Sequence, residues 1–300
     1  MAAHGTPLTQ SDERALKALL AWWEEAGIEL DTPIVRPKPP RPGAMDTRVG
    51  NASNTPDPVA QHRPDTASPP QTERRTAMAG AARAAGFGAQ SATGPSSRDA
   101  AAHARSLDEL KSILAKFEGC ALKHTARNLV FARGNPDARI MIMGEAPGRE
   151  EDEQGMPFVG PSGDLLEKML AAIGLSDNDV YLSNIVTWRP PGNRSPTQDE
   201  IATCLPFAER HIALKKPDIL ILAGGVPAQS LLRSSTGITR LRGRWTEYAV
   251  RNPAGDPEGQ PIATLPVFHP SYLLRRPADK RLAWQDLLEI QARLEHGSAT

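Results

Sequence analysis

The sequence predicts an α/β fold: a three-layer α/β/α domain with a central four-stranded parallel sheet, preceded by a disordered linker and a short amphipathic helix. Two observations carry this prediction. Four short apolar runs, at 139–143, 180–186, 218–222 and 262–268, alternate with segments that have the helical repeat of apolar residues. The third run contains Ile-Leu-Ile-Leu without interruption, which is typical of a parallel strand covered on both faces.

Composition limits the class of protein. The 300 residues allow one or two domains, and 39% hydrophobic residues is low for a chain folded throughout. Lys plus Arg equals Asp plus Glu at 35 each, so any nucleic-acid binding depends on a local basic patch. Two cysteines cannot make a disulfide framework, and neither a secretion signal nor a membrane-length apolar run is present. The prediction is a soluble, cytoplasmic protein that contacts no membrane.

The first 105 residues are predicted to lie outside the main domain. An amphipathic helix over 11–28, within a first unit 1–30, carries Trp22 and Trp23, which would dock on the main domain or on a protein partner. Residues 31–105 contain eleven prolines and few bulky apolar residues. Such a segment buries too little surface to offset the entropy of ordering, so it is predicted to be a disordered linker.

The main domain is predicted to span 106–296. Ser106 and Glu109 form a capping box that opens its first helix, whose apolar face ends near Phe117. Four further helices are predicted between and after the strands, at 162–173, 198–214, 226–232 and 279–294.

The unusual residues follow the predicted strands. Gly-Glu-Ala-Pro-Gly at 144–148 follows the first strand, Asn184 and 189–194 end the second, Gly224 and Gly225 follow the third, and 269–275 follow the fourth. Open parallel sheets bind ligands at the carboxyl ends of their strands, so these segments predict one site. Taken alone, the pentapeptide is equally consistent with an ordinary strand-to-helix turn.

Three segments together resemble the uracil-DNA glycosylase superfamily, and most closely its family-four enzymes. They are GEAPGREEDEQGMPFVGPSGDLL at 144–166, YLSNIVTWRPPGNRSPT at 181–197 and HPSYLLRRP at 269–277. The resemblance covers about 120–294. It implies a DNA repair enzyme that flips uracil out of DNA and hydrolyses its N-glycosidic bond. We expect this chain to act as a monomer and to need no metal or other cofactor for the reaction. The alternative is a non-catalytic module that binds uracil or DNA and is recruited to a repair or replication partner.

The resemblance also implies the base-binding residues. Phe158 would stack on the uracil, and Asn184 would pair with its polar edge, where cytosine presents the reverse pattern of donor and acceptor. Gly144 and Ala146 would contact the base beside them. The alternatives are a core role for Phe158 and a turn role for Asn184.

Three residues are expected to carry the chemistry. His269 would donate a hydrogen bond to the charge that develops on uracil O2. Glu151, ranked first, or Glu145, ranked second, would stabilise the sugar cation or orient water. The neighbouring carboxylates Glu150, Asp152 and Glu153 are predicted to form a solvated face.

The DNA contacts are expected from the last motif and from helix starts. Leu273 or Leu274 would fill the gap left by the flipped base, the other being core, and Arg275 would contact phosphate. Ser162, at a helix amino end, and the arginines at 240, 242 and 244 are further candidates for phosphate contacts.

The chain departs from family four at the iron-sulfur ligands. Cys120 and Cys204 match the second and fourth cysteines, whereas Phe117 and Trp188 occupy the first and third positions. Because two thiolates do not hold a cubane cluster, the cluster is predicted to be absent and its place filled by aromatic packing. The chain also lacks the inserted basic loop with a histidine of the covalently trapping branch, which favours hydrolytic turnover.

Overall fold

The computed structural model describes residues 96–252 and 256–297, together with Lys17, Leu20 and Glu24; side chains are described up to residue 295. Lys17, Leu20 and Glu24 are helical and exposed, and the other residues of the predicted helix over 11–28 lie outside the described residues. Trp22, Trp23 and most of the predicted linker lie outside the described residues.

Within the described ranges, six strands form one sheet in the order β1-β3-β2-β4-β6-β5. The strands are β1 Arg133–Gly134, β2 Ile140–Gly144, β3 Val180–Asn184, β4 Ile219–Ala223, β5 Thr246–Tyr248 and β6 Ile262–Val267. The central four strands are parallel, and β1 and β5 pair antiparallel at the edges. The prediction of four parallel strands is confirmed. The two edge strands were missed because two and three residues are too few for a periodic pattern.

Nine α-helices lie in the described ranges. They are α1 Ser97–Ala102, α2 Leu107–Lys116, α3 Arg149–Gln154, α4 Pro161–Ala171, α5 Gln198–Lys215, α6 Gly225–Leu232, α7 Ile238–Leu241, α8 Pro270–Arg275 and α9 Lys280–Gly297. Ser106 caps α2 as predicted, by accepting a hydrogen bond from the backbone N–H of Glu109.

Two hydrophobic cores lie on opposite faces of the sheet, because successive side chains of a strand point to opposite sides. In β2, Met141 and Met143 join one core, with α2, α5 and α6. Ile140 and Ile142 join the other, with α4 and α9. The three-layer arrangement is therefore confirmed, and it fixes all four carboxyl ends of the parallel strands at one edge of the domain.

Helix α1 lies within the range predicted as linker. Ser96 caps it, Ala100 and Ala101 are buried, and the carbonyl of Ala104 accepts two hydrogen bonds from the Arg210 guanidinium of α5. Alanines bury little surface each, so apolar content alone did not reveal this helix. Residues 97–102, which were predicted to belong to the linker, are therefore part of the described fold.

Candidate active site

A cavity of about 430 Å³ opens at the carboxyl ends of the parallel strands. It is lined by the following residues predicted for the site: Glu145, Ala146, Glu151, Ser162, His269 and Arg275. A larger cavity, about 780 Å³, lies at the opposite edge, where Asp218 and Ile262 mark the amino ends of β4 and β6. None of the predicted site residues lines that larger cavity, so size alone does not identify the site.

Gly144, Asn184 and Phe158 meet beneath the cavity. The parallel register pairs Gly144 of β2 with Asn184 of β3. A methyl group at Gly144 would lie 2.3 Å from Asn184 Oδ1 and 2.7 Å from Phe158 Cζ. Only glycine therefore allows both side chains to approach this strand end.

Asn184 is an unusual buried polar group. Its side chain is 3% exposed, and its Nδ2 has no hydrogen-bond partner among the described residues. A buried, unpaired amide costs roughly 1–3 kcal/mol, so it needs an explanation such as a ligand.

Phe158 has a backbone conformation that side chains rarely adopt, with φ of 54°. Such strain costs on the order of 1–3 kcal/mol and persists only where the surroundings impose it. Here the Phe158 N–H donates to Glu151 Oε1 at 2.6 Å. A methyl group at Gly163 would lie 1.9 Å from the Phe158 carbonyl oxygen, so the first turn of α4 packs directly on this residue.

The two candidate carboxylates differ in their contacts. The other Glu151 oxygen, Oε2, accepts a hydrogen bond from the Gly148 N–H, so both Glu151 oxygens bind backbone amides. Burial raises the pKa of Glu151, and those two N–H donors oppose the shift. Glu145 is half-buried, and no described residue donates a hydrogen bond to its carboxylate.

Asp152 is buried, so its assignment to a solvated face was wrong. Its Oδ1 accepts hydrogen bonds from the N–H groups of Arg127 and Asn128, at 2.8 and 3.0 Å. Asp152 thus ties a loop from before β1 to α3. Glu150 and Glu153 are exposed, as predicted.

His269 is held in one orientation at the start of α8. Its Nδ1 accepts a hydrogen bond from the Ser271 N–H at 3.1 Å, which leaves the ring proton on Nε2. Its ring lies 5.7 Å from that of Phe158, with 22° between the planes. Burial, and then the charge of Arg275, lower the pKa of His269 to about 4, so the imidazole is neutral at pH 7. Gly224 lies against it: a methyl there would be 3.3 Å from His269 Cβ.

The residues predicted to contact DNA fall into two groups. Leu274 is 37% exposed. Arg275 is also exposed, and it lines the cavity. Leu273 is fully buried in the core that contains α4 and α9, so it is the core member of the pair and cannot reach DNA. Ser162 is half-buried in the first turn of α4.

Arg242 was wrongly predicted to contact phosphate. Its Nε donates to Asp286 Oδ2 at 2.9 Å, and its guanidinium lies over the ring of Phe268. Asp286 is buried, so Arg242 is committed to this internal ion pair. Arg240 and Arg244 are exposed.

The four positions of the family-four cluster ligands do not fit an iron-sulfur cluster here. Cys120 and Cys204 are buried with their Sγ atoms 3.9 Å apart. Phe117 packs edge-on against Phe207 at 4.9 Å, and Trp188 is buried in the same core. Four thiolates are required, and no group of three or more His, Cys, Asp or Glu side chains within the described ranges could hold a metal ion.

Sequence reasoning gave no role to three residues of the site. Gly163 and Gly224 closely approach Phe158 and His269, and these are tertiary contacts. Arg194 lies within the predicted 189–194 segment and lines the cavity. For Gly224, the available signal was the Gly224-Gly225 pair after a strand.

No described helix is both long and apolar enough to cross a membrane.

Comparison with known proteins gives a family match: the model of the uracil DNA glycosylase superfamily matches residues 131–288. The chain is 36% identical to the type-4 uracil-DNA glycosylase of Archaeoglobus fulgidus over 176 residues, which is 57% of this chain and 85% of the relative. It is 37% identical to the type-4 uracil-DNA glycosylase of Thermotoga maritima over 175 residues, which is 57% of this chain and 86% of the relative. A type-5 uracil-DNA glycosylase of Thermus thermophilus is 32% identical over 114 residues, which is 33% of this chain and 52% of the relative.

Proposed function

This chain belongs to the uracil DNA glycosylase superfamily, and we propose that it is a DNA repair glycosylase that flips uracil out of DNA and hydrolyses its N-glycosidic bond. The products are free uracil and an abasic site. The observation that carries this proposal is the buried amide of Asn184, which has no hydrogen-bond partner among the described residues and lies against Gly144 at the strand ends. At the same edge of the sheet, the fixed His269 lines the cavity.

Base recognition is assigned to Asn184 and Phe158. The unpaired amide of Asn184 supplies the donor and acceptor that match uracil O4 and N3–H, and the Phe158 ring supplies a stacking face. Cytosine would leave the buried amide unpaired, which penalises it. Gly144 makes room for both side chains, and Ala146 lines the entrance.

We assign to His269 the role of stabilising the leaving uracil. Cleavage transfers the bonding electron pair to uracil, and negative charge builds at O2. A neutral imidazole with its proton on Nε2 donates a hydrogen bond to this charge without first taking up a second proton. The hydrogen bond from Ser271 to Nδ1 supports this tautomer.

We assign to Glu145 the role of stabilising the sugar cation or orienting the attacking water. Its carboxylate lines the cavity and accepts no hydrogen bond from the described residues, so it is free to orient water or face the cation. Water then adds its hydroxyl to C1′, and its proton goes to the uracil anion or to solvent. Glu151 is proposed as a positioning residue, because both its oxygens hold the loop that carries Phe158.

Binding of uracil-containing DNA is assigned to the cavity rim. Leu274 is the proposed wedge, and Arg275 and Ser162 are proposed phosphate contacts. We propose further that residues 96–296 form the catalytic domain, that the protein acts as a monomer in the cytoplasm, and that the amphipathic helix over 11–28 recruits a protein partner.

The test is uracil release from an end-labelled oligonucleotide with one uracil, followed by alkaline cleavage of abasic sites. The wild-type protein should cut at uracil and leave matched cytosine and thymine strands intact. His269→Ala should lower the single-turnover rate by roughly 10²- to 10³-fold while DNA affinity changes only a few-fold, because the donor acts on charge that develops in the transition state. His124→Ala, at an exposed histidine, is the matched control and should behave as wild type.

Wild-type protein that binds uracil DNA but releases no base would refute the enzymatic proposal in favour of a binding module. Equal losses of affinity and rate in His269→Ala would assign His269 to holding α8 in place.

A further inference from the structure

We infer that Arg194 binds a phosphodiester group next to the extruded nucleotide and that Glu200 is its positioning residue. The inference rests on the proposed function, since it assigns a DNA contact to the same cavity. Arg194 follows a one-turn 3₁₀ helix at Pro191–Asn193 and lines the cavity that His269 and Glu145 also line. Its side chain is 44% exposed, so it is accessible to a ligand.

The guanidinium of Arg194 is held along one edge. Its Nη1 and Nη2 donate to the two oxygens of Glu200, at 2.8 and 2.7 Å, and Nη1 also donates to the carbonyl of Ser195 at 3.0 Å. A guanidinium has five N–H donors. The remaining two, Nε–H and the second Nη2 hydrogen, lie side by side on another edge and make no hydrogen bond to any described residue. Two parallel donors of this kind match two oxygens of a phosphate.

Glu200 is itself fixed. It is the third residue of α5, and its Oε2 accepts a hydrogen bond from the Thr197 N–H at 2.7 Å while Thr197 Oγ1 caps the helix. The hydrogen bond from Arg194 is the main reason that the pKa of Glu200 is lowered to about 2. Glu200 is therefore ionised at neutral pH, and its ion pair orients the free edge of Arg194 before DNA binds. Such preorganisation reduces the entropy lost on binding.

The surrounding loop is also braced. Gly192 and Asn193 adopt left-handed backbone conformations, with φ of 68° and 56°, and Arg189 Nε donates to Asn193 Oδ1 at 2.6 Å. The loop therefore presents Arg194 at the cavity from a fixed backbone. A flexible surface arginine would lack both the hydrogen bonds to Glu200 and the fixed loop backbone.

The test uses duplex DNA with one 2′-fluorinated deoxyuridine, which resists cleavage because fluorine destabilises the sugar cation. Affinity is measured by fluorescence anisotropy at several salt concentrations. Arg194→Gln should weaken DNA binding. It should also reduce the slope of log affinity against log salt concentration by about 1, the change expected when one phosphate contact is lost. Arg139→Gln is the matched control, because it removes an exposed arginine that pairs with Asp218 outside the cavity. It should change neither the DNA affinity nor the slope of the salt dependence.

Glu200→Gln separates orientation from charge. It makes the loop more positive, so simple electrostatic attraction predicts tighter binding. We expect weaker binding instead, because the free edge of Arg194 is no longer fixed. Thermal unfolding of each variant verifies that α5 remains folded.

Single methylphosphonates on either side of the deoxyuridine then locate the contact. One neutralised position should weaken binding of wild type but not of Arg194→Gln. No such coupling at any neighbouring position, or tighter binding by Glu200→Gln, would overturn the inference. Absence of uracil release by wild-type protein would instead refute the proposed function.

Discussion

Replacing Gly144 with alanine should damage base recognition more than any other single added methyl group at this strand end. The new Cβ would lie 2.3 Å from Asn184 Oδ1 and 2.7 Å from Phe158 Cζ. Ordinary contacts of these kinds are about 3.2 to 4.0 Å, so both side chains must shift by about 1 Å. Overpacking of this kind costs roughly 1–3 kcal/mol of stability, and a displacement of about 1 Å at a reactive site costs around 10²-fold in rate.

The assay is single-turnover release of uracil, with urea unfolding to measure the free energy of unfolding. Gly237→Ala is the control, because its φ is −68° and no atom lies within 4 Å of the added methyl. We expect Gly144→Ala to remain folded and to release uracil about 10²-fold more slowly. Wild-type rates in Gly144→Ala would refute the argument that Asn184 and Phe158 must converge on this strand end.

Four further predictions concern cofactor, specificity, pH and domain limits. The purified protein should be colourless and iron-free, since Phe117 and Trp188 replace two ligands; visible absorbance with stoichiometric iron would contradict this. Asn184→Asp should lose about 2–3 kcal/mol of transition-state stabilisation on uracil, measured as kcat/KM, because an ionised carboxylate cannot donate to O4. The imidazole of His269 should titrate by NMR near pH 4; since unfolded histidine binds its proton near pH 6.5, this residue should lower stability as the pH falls from 6.5 to 4, and a midpoint above 6 would contradict the burial argument. A protein that lacks residues 1–95 should fold and keep its turnover on short oligonucleotides, whereas loss of turnover in a folded truncation would include the amino-terminal part in the active domain.

The separate functions of neighbouring carboxylates illustrate the limit of sequence reasoning. Glu145, Glu151 and Asp152 lie within eight residues of one another and are chemically alike. Their contacts in the structure differ: Asp152 binds the amides of a loop before β1, Glu151 binds those of its own loop, and Glu145 accepts no hydrogen bond from a described side chain or amide. Local sequence cannot distinguish them, because the partners of Asp152 come from about 25 residues away in the chain.

Leu273 and Leu274 show the same limit on a smaller scale. Both follow the His-Pro pair, and the motif requires only that one of them be available to DNA. The direction of α8 against α4 buries Leu273 and exposes Leu274. Arg242 was misassigned for a related reason, since its partner Asp286 lies 44 residues away on α9.

The sequence by itself determined the four parallel strands, the larger helices between them and the edge of the sheet at which the site forms. These depend on the period of apolar residues and on the rule that parallel strands place their carboxyl ends together, and both are local or topological properties. Only the tertiary structure decided which carboxylate accepts no hydrogen bond from a described residue, which leucine is exposed, that residues 97–102 pack as a helix, and how Arg194 is oriented. These features depend on short-range contacts between residues that are far apart in the sequence. Such contacts form only when the helices pack against the sheet.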